Sequence, residues 1–225
     1  NLKSQFGVFE IGMDRKGEIN QLAKLVKPDL GIITNISYAH IKNFNNLQGI
    51  ASAKSELIDQ INKDGAIILN KNDKFFKYFQ QKAKKKGLKI ISFGKKTNAD
   101  IIFVSLKKQD NKYLFSIKKN KKFYRFNINP NLSNYIENLL AASAAISYYI
   151  DLDKLNKNIF LNYNIPKGRG DKFVFKNKSK KINVIDESYN SNPLSLRFSI
   201  ENFSNLYVNK AKKYLLLGDM LELGK

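Results

Sequence analysis

Three short stretches rich in apolar residues, at 30–34, 66–69 and 89–93, alternate with stretches of helical spacing. A strand that is apolar throughout is buried on both faces, and joining two such parallel strands takes a crossover, usually a helix. The alternation therefore predicts β-α-β units around a mostly parallel sheet. A further apolar run at 5–11 is expected to form a strand with Glu10 near its carboxyl end. A helix is predicted from 17 to 26. From Leu47 the residues Leu47, Ile50, Ala51, Leu57, Ile58 and Ile61 recur at helical spacing, and Lys54 sits among them with small neighbours. The stretch from 33 to 57 thus reads as strand, polar loop, helix, and its loop carries the single histidine, His40. Another helix is expected over 73–85, ending in the solvated lysine run at 82–86, which suits the negative end of a helix.

The rhythm then changes. Residues 100–106, 112–117 and 122–128 alternate apolar and polar side chains between polar turns, the pattern of an antiparallel meander. An alanine-rich helix follows over 134–150, then a second helix over 152–161. The turn-rich stretch Ile-Pro-Lys-Gly-Arg-Gly-Asp at 165–171 is a candidate boundary. Beyond it, apolar runs at 182–185 and 214–217 flank a helix that begins at Pro193, with Asn192 as its natural cap, and runs to about 207. A single β-α-β unit of this size cannot cover both faces of its own sheet.

The net charge of +21 at pH 7 raises the question of nucleic acid. Arginine, whose planar fork reads bases and phosphates, occurs only at Arg15, Arg125, Arg169 and Arg197. The lysines are spread along the whole length, so no specific nucleic-acid function is expected. There are no cysteines, which excludes disulfides and thiolate chemistry and fits a reducing, cytoplasmic setting. No apolar run approaches the length of a membrane span, and no signal peptide is expected at the start.

Four separated stretches carry chemistry-bearing residues: EIGMDRKGEI at 10–19, TNISYAHIKNF at 34–44 with AKSEL at 53–57, DESYNSNP at 186–193, and GDMLELG at 218–224. In order and spacing they resemble the Mur ligase family. The DESYNSNP and GDMLELG pair resembles the branch that adds D-alanyl-D-alanine to a UDP-N-acetylmuramoyl-tripeptide in peptidoglycan synthesis. The resemblance spans essentially the whole chain. It implies an α/β fold with the mostly parallel sheet of a central ATPase domain, an antiparallel meander, and an incomplete Rossmann-like C-terminal domain. By this resemblance residues 1–178 form the central ATP- and Mg²⁺-binding domain without its phosphate-loop part, and 179–225 begin the C-terminal one.

The implied reaction is ATP-dependent amide formation through an acyl phosphate. Two polyanions and a carboxylate must meet in it, which calls for Mg²⁺. By the same resemblance Glu10, His40 and Lys54 are the expected metal residues, with His40 and Lys54 catalytic. Lys54 matches a lysine that relatives carbamylate, which turns a repelling ammonium into a long carboxylate. Asn138 and Arg169 match residues at the adenine and at the phosphates, and Glu187 stands where relatives have an aspartate on the ribose. Tyr189, Asn190 and Asn192 are assigned to the interdomain substrate region. One departure stands out: relatives have a His-Asn pair just before Asn138, and Asn134-Tyr135 are found here. No G-x-x-x-x-G-K-[ST] phosphate loop occurs in these residues. The chain is therefore expected to be a monomeric fragment of a ligase, without turnover of its own. The competing expectations are another Mur or folylpolyglutamate-type ligase and a non-catalytic basic binding module.

Overall fold

The computed structural model describes residues 4–38, 41–95, 98–163, 165–178, 180–206 and 212–220. Its main sheet has six strands in sequence order. They are β1 (Leu30–Ile33), β2 (Ala66–Asn70), β3 (Lys89–Gly94), β4 (Ile101–Gln109), β5 (Lys112–Lys119) and β6 (Lys122–Ile128). The β1–β2, β2–β3 and β3–β4 pairs are parallel; β4–β5 and β5–β6 are antiparallel. The meander is therefore a continuation of the parallel sheet, joined to it at Phe93–Ile101 and Gly94–Ile102.

Side chains of β2 alternate between two cores, as the period of a strand requires. Ile67 and Leu69 face one, with Ile50, Ile58 and Ile61 and with Phe76, Phe79 and Ala83 of α4 (Phe76–Lys85). Ile68 faces the other, with Phe93, Ile101, Phe115 and Leu140. Every residue of β2 is buried, which is why its sequence is a continuous apolar run ending in Asn70. Helix α5 (Ile136–Tyr149) covers the second core through Leu139, Leu140, Ala141, Ser143 and Ala144. Its alanines let the helix axis approach β2, β3 and β4 closely.

The expected helix from Leu47 is two helices, α2 (Leu47–Lys54) and α3 (Glu56–Gln60). The break falls at Ser55, which is buried and donates its hydroxyl to the Ser52 carbonyl at 2.6 Å. The Ser55 carbonyl is in turn taken by Lys82 Nζ at 3.0 Å. Lys82 also pairs with Asp59 at 2.6 Å, so the first lysine of the 82–86 run is a bracing residue rather than a solvated one. The first helix of the chain, α1 (Glu18–Val26), packs on α3, and the Glu56 carboxylate accepts from the Gly17 and Asn20 amides.

Three other expectations are corrected. Residues 5–11 are extended but form no strand, and Val8 is 96% exposed. Residues 214–217 are likewise unpaired, with Leu216 99% exposed. An apolar run becomes a strand only by joining a ladder, and neither run has a neighbouring strand among the described residues. The predicted helix over 152–161 is only a 3-10 turn at Leu152–Lys154 followed by loop. Asp151 caps that turn, and Leu152 anchors it in the core.

After α5 the chain forms an antiparallel hairpin of β7 (Asp171–Asn177) and β8 (Lys180–Asp186), which straddles residue 178. Helix α6 (Pro193–Ser204) follows, with Pro193 in its first turn and Asn192 as cap. The Asn192 carboxamide accepts from the Leu194 and Ser195 amides, both at 3.0 Å, and Ser195 Oγ accepts from the Asn192 amide. No residue of α6 is buried, so the cap is a large part of what holds the helix start. Asn192→Ala is expected to cost about 1 kcal/mol of local stability. Amide hydrogen exchange over the first turn of α6 should speed by the corresponding factor of about five.

Candidate nucleotide and metal site

In open α/β sheets ligands gather beyond the carboxyl ends of the strands. Two groups of polar side chains lie there. The first surrounds Lys54, the last residue of α2. Its ammonium donates to the carbonyl of Asn35, just past β1, at 3.0 Å. Burial pushes the Lys54 amine below the ordinary lysine range, and the negative charge of Asp73 partly offsets this. Asp73, just past β2, is itself fixed, because its carboxylate accepts from the Ile36 and Phe75 amides at 2.7 Å each. A lysine biased toward the neutral amine is nucleophilic, which a solvated ammonium is not.

The end of β2 also meets the start of α5. Asn70 donates to Glu137 at 3.3 Å, and Glu137 is the neighbour of Asn138 in the first turn of that helix. Asn138 is exposed there, beyond the strand ends.

The second group joins α5, the loop at 165–170 and the segment after β8. The Gly170 amide donates to the Asp186 carbonyl at 2.6 Å, and the Tyr189 amide donates to the Gly168 carbonyl at 3.0 Å. Between the two glycines, the Arg169 guanidinium lies 4.0 Å from the centre of the Tyr189 ring, and the Arg169 carbonyl accepts from the Tyr135 hydroxyl. Both glycines have left-handed backbone, and a Cβ on Gly168 would lie 2.9 Å from the Tyr189 nitrogen. Burial raises the Glu187 carboxyl above its usual range; nearby Asp186 and Asp171 add to this, and a Ser199 hydrogen bond opposes it. Burial and the Glu187 charge likewise raise the Tyr135 hydroxyl, against the pull of Arg169.

Of the residues expected from the sequence, Arg169, Glu187 and Tyr189 are thus brought together. Asn190 accepts from the Ser191 amide at 2.8 Å and Asn192 caps α6, so both make local backbone contacts. Glu10 is exposed in the extended segment before α1. His40 lies outside the described residues. Among the described residues no three His, Cys, Asp or Glu side chains cluster as a ready-made metal cage. Asp73 is a polar group that the sequence reading did not single out, and Tyr135 was noted there only as a departure from the relatives' His-Asn pair. Asp73 stands just past a buried strand, a placement that could have flagged it.

The Mur ligase middle domain family matches residues 1–146. The UDP-N-acetylmuramoyl-tripeptide--D-alanyl-D-alanine ligase of Rickettsia prowazekii is 27% identical over 98% of this chain and 48% of its own length. The crystal structure of MurF from Acinetobacter baumannii superposes with a TM-score of 0.79 at 25% identity, over 100% of this chain and 47% of that one. MurF ligase from Thermotoga maritima, solved in complex with ADP, has a TM-score of 0.74 at 20% identity and shares the fold over 96% of this chain and 47% of its own. The chain spans about half the length of the relatives it matches. With the family match covering more than half of its residues and the mostly parallel sheet shared, the chain belongs to the Mur ligase family.

Proposed function

We propose that the protein containing this chain is an ATP-dependent amide ligase of peptidoglycan precursor synthesis. It joins D-alanyl-D-alanine to UDP-N-acetylmuramoyl-tripeptide, in the cytoplasm and as a monomer. The observation that carries this reading is the alignment of 98% of the chain with a ligase of that name. The convergence of Arg169, Glu187 and Tyr189 beside the start of α5 supports it. Residues 1–178 serve as the central ATP- and Mg²⁺-binding unit, and 179–225 open the unit that receives the amine.

In this reading the tripeptide carboxylate attacks the γ-phosphorus of ATP, and ADP leaves. The amine of D-alanyl-D-alanine then attacks the acyl phosphate, and inorganic phosphate leaves with one carboxylate oxygen. Arg169 pairs with phosphate oxygens, for which its fork is suited. Asn138 faces the adenine and Glu187 accepts from the ribose hydroxyls. Tyr189, Asn190 and Asn192 border the peptide substrate. Glu10, His40 and Lys54 would hold Mg²⁺, with His40 and Lys54 at the reacting end. The depressed Lys54 amine fits this role, because the neutral amine is the form that takes up CO₂. A carbamate there would offer the oxygen ligands that Mg²⁺ prefers. Bound there, Mg²⁺ would supply the charge neutralisation that brings phosphate and carboxylate together.

The test is a ligase assay on the product of the complete reading frame, with D-alanyl-D-alanine set against single amino acids as the amine. Amide formation with the dipeptide, coupled to ADP release, is the expected result. The 225 residues by themselves, which hold no phosphate-loop sequence, are expected to give none. Amide formation with a single amino acid in preference to the dipeptide would reject the proposed substrate.

A further inference from the structure

Tyr135 stands where the sequence departs from its relatives, and the structure shows it held at both ends. Its carbonyl accepts the first hydrogen bond of α5, from the Leu139 amide at 2.9 Å. Its hydroxyl, across a half-buried ring, donates to the carbonyl of Arg169. That carbonyl lies in the middle of the loop whose flanks are clasped to Asp186 and Tyr189. Asn138 is one turn further along the same helix. Tyr135 is therefore the side chain that ties the Arg169 loop to the helix start that carries Asn138.

Gly170 shows how tightly the tie is made. A Cβ there would lie 3.0 Å from Glu187 Oε1 and 3.3 Å from the Tyr135 hydroxyl oxygen, at a backbone φ of +89°. The absent side chain leaves the gap through which the tyrosine reaches the loop backbone. The guanidinium is left outside the clasp, stacked on the exposed Tyr189 ring, where an anion can draw it away.

We propose that Tyr135 is a positioning residue for the nucleotide. Its hydroxyl fixes the Arg169 loop against the start of α5, so that Arg169 and Asn138 address one triphosphate at a set separation. This rests on the nucleotide reading above. It adds that a tyrosine hydroxyl on a main-chain carbonyl does the work, with no contact to the base.

Tyr135→Phe keeps the ring and removes only the donor. In the complete ligase, KM for ATP is expected to rise about 3- to 10-fold, the worth of one hydrogen bond, with kcat changed by less than about twofold. In an Arg169→Ala background the same substitution should leave KM where it is, because no guanidinium remains to be positioned. An unchanged KM in the single variant, or an equal rise in both backgrounds, overturns the inference. In the complete ligase, amide exchange at Arg169 and Gly170 is also expected to quicken in Tyr135→Phe, and unchanged exchange overturns the inference. A wild-type enzyme without ATP-dependent activity would reject the proposed function instead, and the exchange result would then decide the clasp on its own.

Discussion

Replacing Lys54 with alanine in the complete ligase is expected to lower kcat by about 100- to 1000-fold, the usual cost of removing a fixed electrostatic group from a reacting centre. Lys54 is held by the Asn35 carbonyl at the end of β1 and faces the anchored Asp73 at the end of β2. Steady-state rates of amide formation, with the folded state checked by circular dichroism, measure the loss. Arginine at this position should fail as badly, since it keeps the charge but cannot form a carbamate. Full activity in Lys54→Arg would remove the carbamate from the account.

The same lysine has a cost for the fold, and its sign is fixed. Burial holds its folded pKa below the usual 10.5, so the charged form is penalised in the native state. Below the folded value the penalty is complete. Between that value and 10.5 the unfolded chain binds the extra proton, so stability rises with pH across that window. Lys54→Met removes the penalty. Its urea-unfolding stability should be no lower than wild type at neutral pH, and its rise with pH toward 10.5 should be flatter. In the proposed reading, catalysis and stability pull in opposite directions at this side chain.

The second large effect concerns the meander. Phe115 in β5 is fully buried, stacks on Phe103 at 6.3 Å, and belongs to the same core as Phe93 of β3 and Leu140 of α5. Phe115→Ala is expected to destabilise the sheet by about 3–5 kcal/mol, through lost transfer energy and a residual cavity. That is a large share of the roughly 5–15 kcal/mol that holds a domain together. Because β4 joins β3 in parallel register, the parallel and antiparallel halves should melt together in urea. Two separated transitions, with the loss confined to one, would mean that the meander is a unit of its own.

Strand β2 was legible because it is buried on both faces and so reads as a nearly unbroken apolar run, and β1 and β3 were legible by their apolar residues although Ile32 and Lys89 are exposed. Strand β6 coincides with its predicted span, since its alternation records one covered and one open face. The attachment of β4 to β3 left no such trace: strand direction does not alter side-chain period. The break at Ser55 was hidden as well, since it depends on Lys82 reaching across from α4. The runs at 5–11 and 214–217 show the opposite failure, in which composition suits a strand but pairing is what makes one. At the site, Lys54 and Arg169 stood out by motif. Tyr135 was marked only as a departure from relatives, because its hydrogen bond reaches main chain 34 residues away.

The most direct measurement of the central claim uses the tripeptide substrate with ¹⁸O in its reacting carboxylate, ATP, Mg²⁺ and D-alanyl-D-alanine, with the complete ligase. An acyl phosphate transfers one carboxylate oxygen to phosphorus, so the account predicts one ¹⁸O in the inorganic phosphate for each amide formed. Amide formation with the label absent from phosphate, or label in AMP instead, would contradict it.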